Sequence, residues 1–242
     1  MLRILTAICF FSLYCLGNLT EQKYSMKDGR IVGGTTEPSN RLYPFHAILI
    51  YSGEVFCSGS IISENWILTA AHCVSSFAPY SITIHGGISG EVRQIAQKII
   101  HPSYNSVTWD YDIAVVRVTQ PFNLGSSVMA IPLARSLPPA GSLTLVVGYS
   151  TSYNVTLLQS TACYGIYEGY QSIMGRMLCG EIVEVENAIC EATSGSPLVA
   201  NEELIGLPIW TTRCNVAPYR QFFNSITQFL SWINANTGIL SR

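Results

Sequence analysis

Three side chains in this sequence have the types that nucleophilic acyl chemistry needs, each inside a distinctive block. His72 lies in Leu68-Thr-Ala-Ala-His-Cys73, Asp112 opens Asp112-Ile-Ala-Val115, and Ser194 lies in Cys190-Glu-Ala-Thr-Ser-Gly-Ser-Pro-Leu198. A serine hydroxyl has a very high pKa and is a poor nucleophile until a base takes its proton. A histidine can take that proton near neutral pH and return it to a leaving amine. A buried carboxylate then fixes the imidazole tautomer and stabilises the imidazolium. His46, His85 and His101 have no comparable surroundings and are expected to be structural or exposed.

Positioning three residues so far apart in the chain requires a real core, and 242 residues are ample for one domain or two packed halves. Short apolar or alternating runs recur between turn residues: Phe45 to Tyr51, Trp66 to Thr69, Glu91 to Ile100, Ile113 to Val118, Leu143 to Val147 and Leu204 to Trp210. That rhythm predicts an all-β sandwich or barrel. Ile226, Phe229, Leu230 and Ile233 fall at helical spacing and predict one closing helix at the C-terminus. A segment containing Pro121, Pro132, Pro138 and Pro139 reads as a connector between two strand-rich halves.

A net charge of −2 with 12% charged residues gives no electrostatic case for nucleic acid or an anionic membrane. Residues 1–17 carry Arg3, an apolar run from Ile4 to Leu16, and then Gly17, the pattern of a secretory signal peptide. The run is short of the roughly 20 apolar residues that span a bilayer. Cys9 and Cys15 leave with the signal, and the remaining cysteines are Cys57, Cys73, Cys163, Cys179, Cys190 and Cys214. An exported chain with an even number reads as disulfide-bonded, although six cysteines allow about 15 pairings. No CxxC pair is present, so neither a zinc site nor any other metal or cofactor is expected. Asn18-Leu-Thr and Asn154-Val-Thr are glycosylation sequons.

The order His72, Asp112, Ser194 is that of chymotrypsin-type proteases, whereas subtilisins and α/β-hydrolases order the three otherwise. From Ile31 to the C-terminus the chain resembles the chymotrypsin/trypsin family of serine proteases, and it is similar to insect secreted trypsin-like enzymes. Pro44-Phe45, His101-Pro-Ser-Tyr104, Gly148-Tyr149 and the spacing from Cys190 to Cys214 carry the resemblance beyond the three blocks. It implies two six-stranded antiparallel β-barrels with a C-terminal helix, His72 and Asp112 coming from the first barrel and Ser194 from the second. It implies the disulfides Cys57–Cys73, Cys163–Cys179 and Cys190–Cys214, with an oxyanion hole at Ala192 and Ser194. The Asp-Ile-Ala-Val block favours Asp112 over Asp110, leaving Asp110 to the surface. Arg30-Ile31-Val-Gly-Gly resembles the family's activation site. Residues 18–30 become a propeptide and 31–242 a monomeric protease domain acting on proteins or peptides after cleavage by a trypsin-like enzyme. No cysteine lies in residues 18–30 to tether the released piece.

Several residues depart from the family pattern. Thr193 stands where an aspartate would pair with the freed ammonium of Ile31, and removing one partner of a buried pair costs about 3–5 kcal/mol. Ala192 replaces the glycine whose N–H faces the oxyanion, and losing such a donor costs about 10²–10³ in turnover. Ile209 replaces a serine that hydrogen-bonds the catalytic aspartate. Ala188 leaves the pocket floor uncharged, and Thr211 and Gln221 replace wall glycines, which implies an elastase-like preference for small P1 residues. The alternative reading is a non-catalytic homologue that uses the fold as a binding or regulatory module. The activation junction has a direct test. Trypsin treatment of the precursor should leave a stable product beginning Ile31-Val32-Gly33-Gly34; N-terminal sequencing that starts elsewhere, or general degradation, removes the zymogen reading.

Overall fold

A computed structural model describes residues 43–149, 152–164, 174–183, 194–211 and 220–239. Twelve strands form two closed barrels, each with six strands and antiparallel throughout. The first contains β1 (His46–Tyr51), β2 (Glu54–Ile61), β3 (Trp66–Thr69), β4 (Ile82–Gly86), β5 (Glu91–Ile100) and β6 (Ala114–Val118), ordered β1-β2-β3-β6-β5-β4. The second contains β7 (Leu143–Val147), β8 (Ser152–Leu157), β9 (Met177–Val183), β10 (Leu198–Ala200), β11 (Glu203–Thr211) and β12 (Arg220–Ser225), ordered β10-β11-β12-β9-β8-β7. The all-β expectation therefore holds as two barrels. Among the described residues there are also three short α-helices, α1 (Ala71–Ser75), α2 (Thr161–Tyr164) and α3 (Leu230–Thr237), and 3-10 turns at Pro79–Ser81, Met174–Arg176 and Ile226–Gln228. None of them is long and apolar enough to cross a membrane.

The composition of β6 explains how the barrels meet. Ala114, Val116 and Val118 pack inside the first barrel, whereas Val115 and the preceding Ile113 pack on the other side. A strand apolar on both faces must be covered on both. The second cover is a seam shared between the barrels, joining Phe45, Leu68, Ile113 and Val115 to Leu145, Val147, Leu204 and Leu207. Each fully buried aliphatic side chain there contributes roughly 1.5–3 kcal/mol.

The closing helix begins later than its apolar period suggests. Ile226–Gln228 form a separate 3-10 turn, and α3 starts at Leu230. The stripe is nonetheless used as expected, since Ile226, Phe229 and Ile233 are buried in the seam. Gly238 ends α3 at φ 72°, its N–H bonding to Asn234 O at 2.8 Å, a left-handed C-cap that glycine adopts without a steric penalty. The Pro-containing segment behaves as a connector tied to both barrels. Ile131 N–H donates to Ile61 O, while Leu204 N–H donates to Pro132 O.

One buried polar pair lies on the face of β1 and β2 opposite the first barrel's apolar interior. His46 is completely buried and its Nε2 is 3.0 Å from Ser58 Oγ. Burial holds its pKa down from 6.5 to about 3. The unfolded chain therefore takes up a proton below pH 6.5 that the folded chain refuses until about pH 3. Stability from this group is present above pH 6.5 and is lost progressively as pH falls towards 3. Chemical denaturation at pH 7 and pH 4 should show His46→Gln losing less stability than the parent over this interval, by up to about 3 kcal/mol. Equal losses in the two proteins would assign the acid sensitivity elsewhere.

Candidate active site

His72 is carried by α1, which begins immediately after β3 and packs Ala71, Cys73 and Val74 into the first barrel. The same barrel supplies Asp112 from the turn before β6. Its side chain is fully buried, and its two carboxylate oxygens divide their work. Oδ1 accepts the His72 backbone N–H at 2.8 Å, and Oδ2 lies 2.6 Å from His72 Nδ1. One bond fixes the start of α1 and the other fixes the ring. Asp112 is fixed in turn by Asn224 on β12, whose Nδ2 donates to the Asp112 carbonyl at 2.7 Å.

Tyr104 lies within the field of this carboxylate. Its phenol is pushed above the ordinary tyrosine value, first by burial and then by the Asp112 charge. Ile209 packs into an apolar cluster with Cys163, Cys179 and Phe222. It brings no polar atom to Asp112, and among the described residues the carboxylate's hydrogen bonds both go to His72.

Ser194 arrives from the second barrel in the turn before β10 and is anchored on the first. Its carbonyl accepts the Ser58 N–H at 2.8 Å. Gly195 follows at φ 81°. A Cβ there would stand 2.3 Å from Ser58 O and 2.5 Å from Thr69 Oγ1, so glycine is required both for the turn and for the close approach. Thr69 Oγ1 itself donates to Ser58 O at 2.7 Å. The Cys57–Cys73 disulfide joins β2 to α1 beside this contact. Ser194 O and His72 Nε2 both lie 3.6 Å from Cys73 Sγ, which brings the serine's segment and the imidazole to one point. Cys57, His72 and Cys73 are close enough together to suggest ligands. Their sulfurs are consumed in the disulfide, which leaves no thiolate for a metal.

Cys163–Cys179 is also formed. Ala192, Thr193, Ala188, Arg30, Ile31, Cys190 and Cys214 lie outside the described residues. Thr211 pairs with Gln221 across β11 and β12. The Gln221 side chain is buried and its Oε1 accepts the Tyr153 hydroxyl at 2.7 Å. Burial pushes that phenol well above the ordinary tyrosine range. Asn154, in the second sequon, is half-buried on β8.

Asp110 departs from the expected surface role. Arg176 Nη2 donates to both its carboxylate oxygens, at 2.9 and 2.7 Å, and the Asp110 side chain is 21% exposed. The sequence reading also missed Asn224 and Trp109. The Trp109 ring lies 4.6 Å from the His72 ring and shields one side of it. A lone Asn or Trp has no local motif to announce it. Asp110 was legible only as a rival for Asp112, because its partner is 66 residues away.

Comparison with known proteins agrees with this architecture. The family model for trypsin matches residues 31–233. Serine protease 1 of Canis lupus familiaris is 32% identical over 225 residues, covering 85% of this chain and 89% of the relative. Trypsin delta of Drosophila erecta is 30% identical over 239 residues, covering 91% of this chain and 93% of the relative. Among solved structures, kallikrein-related peptidase 10 superposes with a TM-score of 0.73 at 27% identity, covering 80% of this chain and 95% of that one. With the twin barrels, the His72–Asp112 pair and a family match across most of its length, the chain belongs to the trypsin family of serine proteases.

Proposed function

We propose that this chain is a secreted serine endopeptidase made as a zymogen, in which His72, Asp112 and Ser194 form the catalytic triad. The observation that carries the reading is the buried Asp112 carboxylate 2.6 Å from His72 Nδ1; it is supported by Cys73 Sγ, which lies 3.6 Å from both His72 Nε2 and the Ser194 carbonyl. The Ser194 Oγ proton passes to His72 Nε2 as Oγ attacks the substrate carbonyl carbon. The oxyanion is received by backbone N–H groups at Ala192 and Ser194, and His72 returns the proton to the departing amine. Water then repeats the cycle on the acyl-enzyme. Residues 1–17 are the export signal, and cleavage after Arg30 frees Ile31. Substrates are proteins or peptides, and neither a metal nor a cofactor takes part.

A small P1 side chain suits the pocket. Ala188 offers no carboxylate to Lys or Arg, whose buried charge would go uncompensated. The tether from Tyr153 to Gln221 supports a filled wall where a glycine would leave space. Ile209 favours a second reading, a non-catalytic homologue, since Asp112 receives no hydroxyl from that position.

The two readings separate in one measurement. A fluorophosphonate probe should label the chain cleaved after Arg30 and leave Ser194→Ala unlabelled; no labelling of the cleaved parent favours the binding module. If the lost carboxylate at Thr193 limits activation, Thr193→Asp should raise turnover at least about tenfold, and only with Ile31 as the free N-terminus. An equal gain in the uncleaved precursor contradicts that route. In a peptide-library profile, cleavage should follow Ala, Val or Ser, and dominance of Arg or Lys would overturn the pocket assignment.

A further inference from the structure

We propose that Arg176 is a positioning residue for the catalytic aspartate, a latch from the second barrel that holds the segment carrying Asp112 in shape. The inference rests on the triad reading above. Trp109 and Tyr111 have φ values of 61° and 54°, a left-handed region that bulky side chains rarely occupy. Asp112 follows in a three-residue turn closed by Ile113 N–H donating to Tyr111 O at 2.7 Å. Relaxing Tyr111 to an ordinary φ would rotate the next residue and carry its carboxylate away from His72.

Local bonds hold only part of this shape. Trp109 N–H donates to Asn105 O, and Asn105 N–H donates to Asp110 O. Across the seam, Arg176 engages the Asp110 carboxylate through Nη2, and its guanidinium carbon lies 4.2 Å from the centre of the Tyr111 ring. His101 stacks on the same ring at 4.5 Å. Arg176 immediately precedes Met177, and Met177 is paired in the sheet with Asn224, which holds the Asp112 carbonyl. One rung of the second barrel thus grips the segment on both sides of Tyr111. Exposed ion pairs contribute little, but both partners here are mostly covered, at 28% and 21% exposure, and they join different barrels. With Ile209 offering Asp112 no hydrogen bond, this rung shares the aspartate's placement with the two His72 bonds.

The test uses the chain processed to Ile31, with Arg176→Gln, Asp110→Asn, their double variant, Arg176→Lys, and, as a stability control, Phe122→Leu, which trims a side chain buried in the first barrel's core away from the latch. A latch predicts that Arg176→Gln and Asp110→Asn each lower kcat about 10- to 100-fold while KM stays within about twofold. The double variant should be no worse than either single one, and Arg176→Lys should recover part of the loss. The deshielded proton shared by His72 Nδ1 and Asp112 should move upfield or broaden in the NMR spectrum of Arg176→Gln. Phe122→Leu should leave both readouts at the parent values. The proposal is overturned if Arg176→Gln lowers Tm while kcat and the shared proton remain as in the parent, or if the two single effects add. Should the processed parent cleave nothing, the proton alone decides the latch, and the missing activity counts against the protease reading.

Discussion

The arrangement depends on keeping one carboxylate out of water. Asp112 has no exposed surface and stands beside Ile113 and Val115, which belong to the apolar seam between the barrels. Burying a carboxylate is unfavourable unless donors replace its water. Those donors are the two His72 groups, and their presence dictates where α1 begins and which way the imidazole faces. The turn around Asp112 and the termini of β3 and β6 are thereby constrained together. Ser194 joins from the other side of the seam, so the site exists only while the two barrels are packed.

Much of the fold could be read from residue patterns. Trp66–Thr69, Glu91–Ile100 and Leu143–Val147 form strands with the limits their apolar content suggests. The strand at Leu204–Trp210 gains a residue at each end, and the one at Phe45–Tyr51 begins at His46. Other strands hide because their sequences mix small and polar residues that are buried by pairing. Ser58 and Ser60 on β2 are fully buried, and Asn224 and Ser225 on β12 nearly so. Barrel closure covers such residues, and periodicity within one segment cannot register a partner strand from elsewhere.

The site was legible to the extent that its residues sit in local blocks. His72 and Asp112 were identifiable because each neighbourhood is distinctive, and Cys57–Cys73 and Cys163–Cys179 through the family pattern. Ser58, Asn224 and Arg176 act through side chains or amides meeting segments at least 66 residues distant, and no run of sequence encodes such a meeting. Asp110 makes the point most clearly. It is an acid in a polar loop by sequence, yet its partner comes from the other barrel.

Closure of both barrels has a consequence for the lifetime of the folded chain among proteases. A strand already paired on both sides offers no free backbone N–H or C=O to a partner that would bind it as an extended segment. Each of the twelve strands has two neighbours. Among the described residues, the peptide bonds left open to proteolysis thus lie in connecting loops, such as the turn from Gly86 to Glu91 and the loop from Tyr104 to Trp109. Neither loop contains a lysine or an arginine. A protease that cuts after basic residues therefore finds no site in either of them.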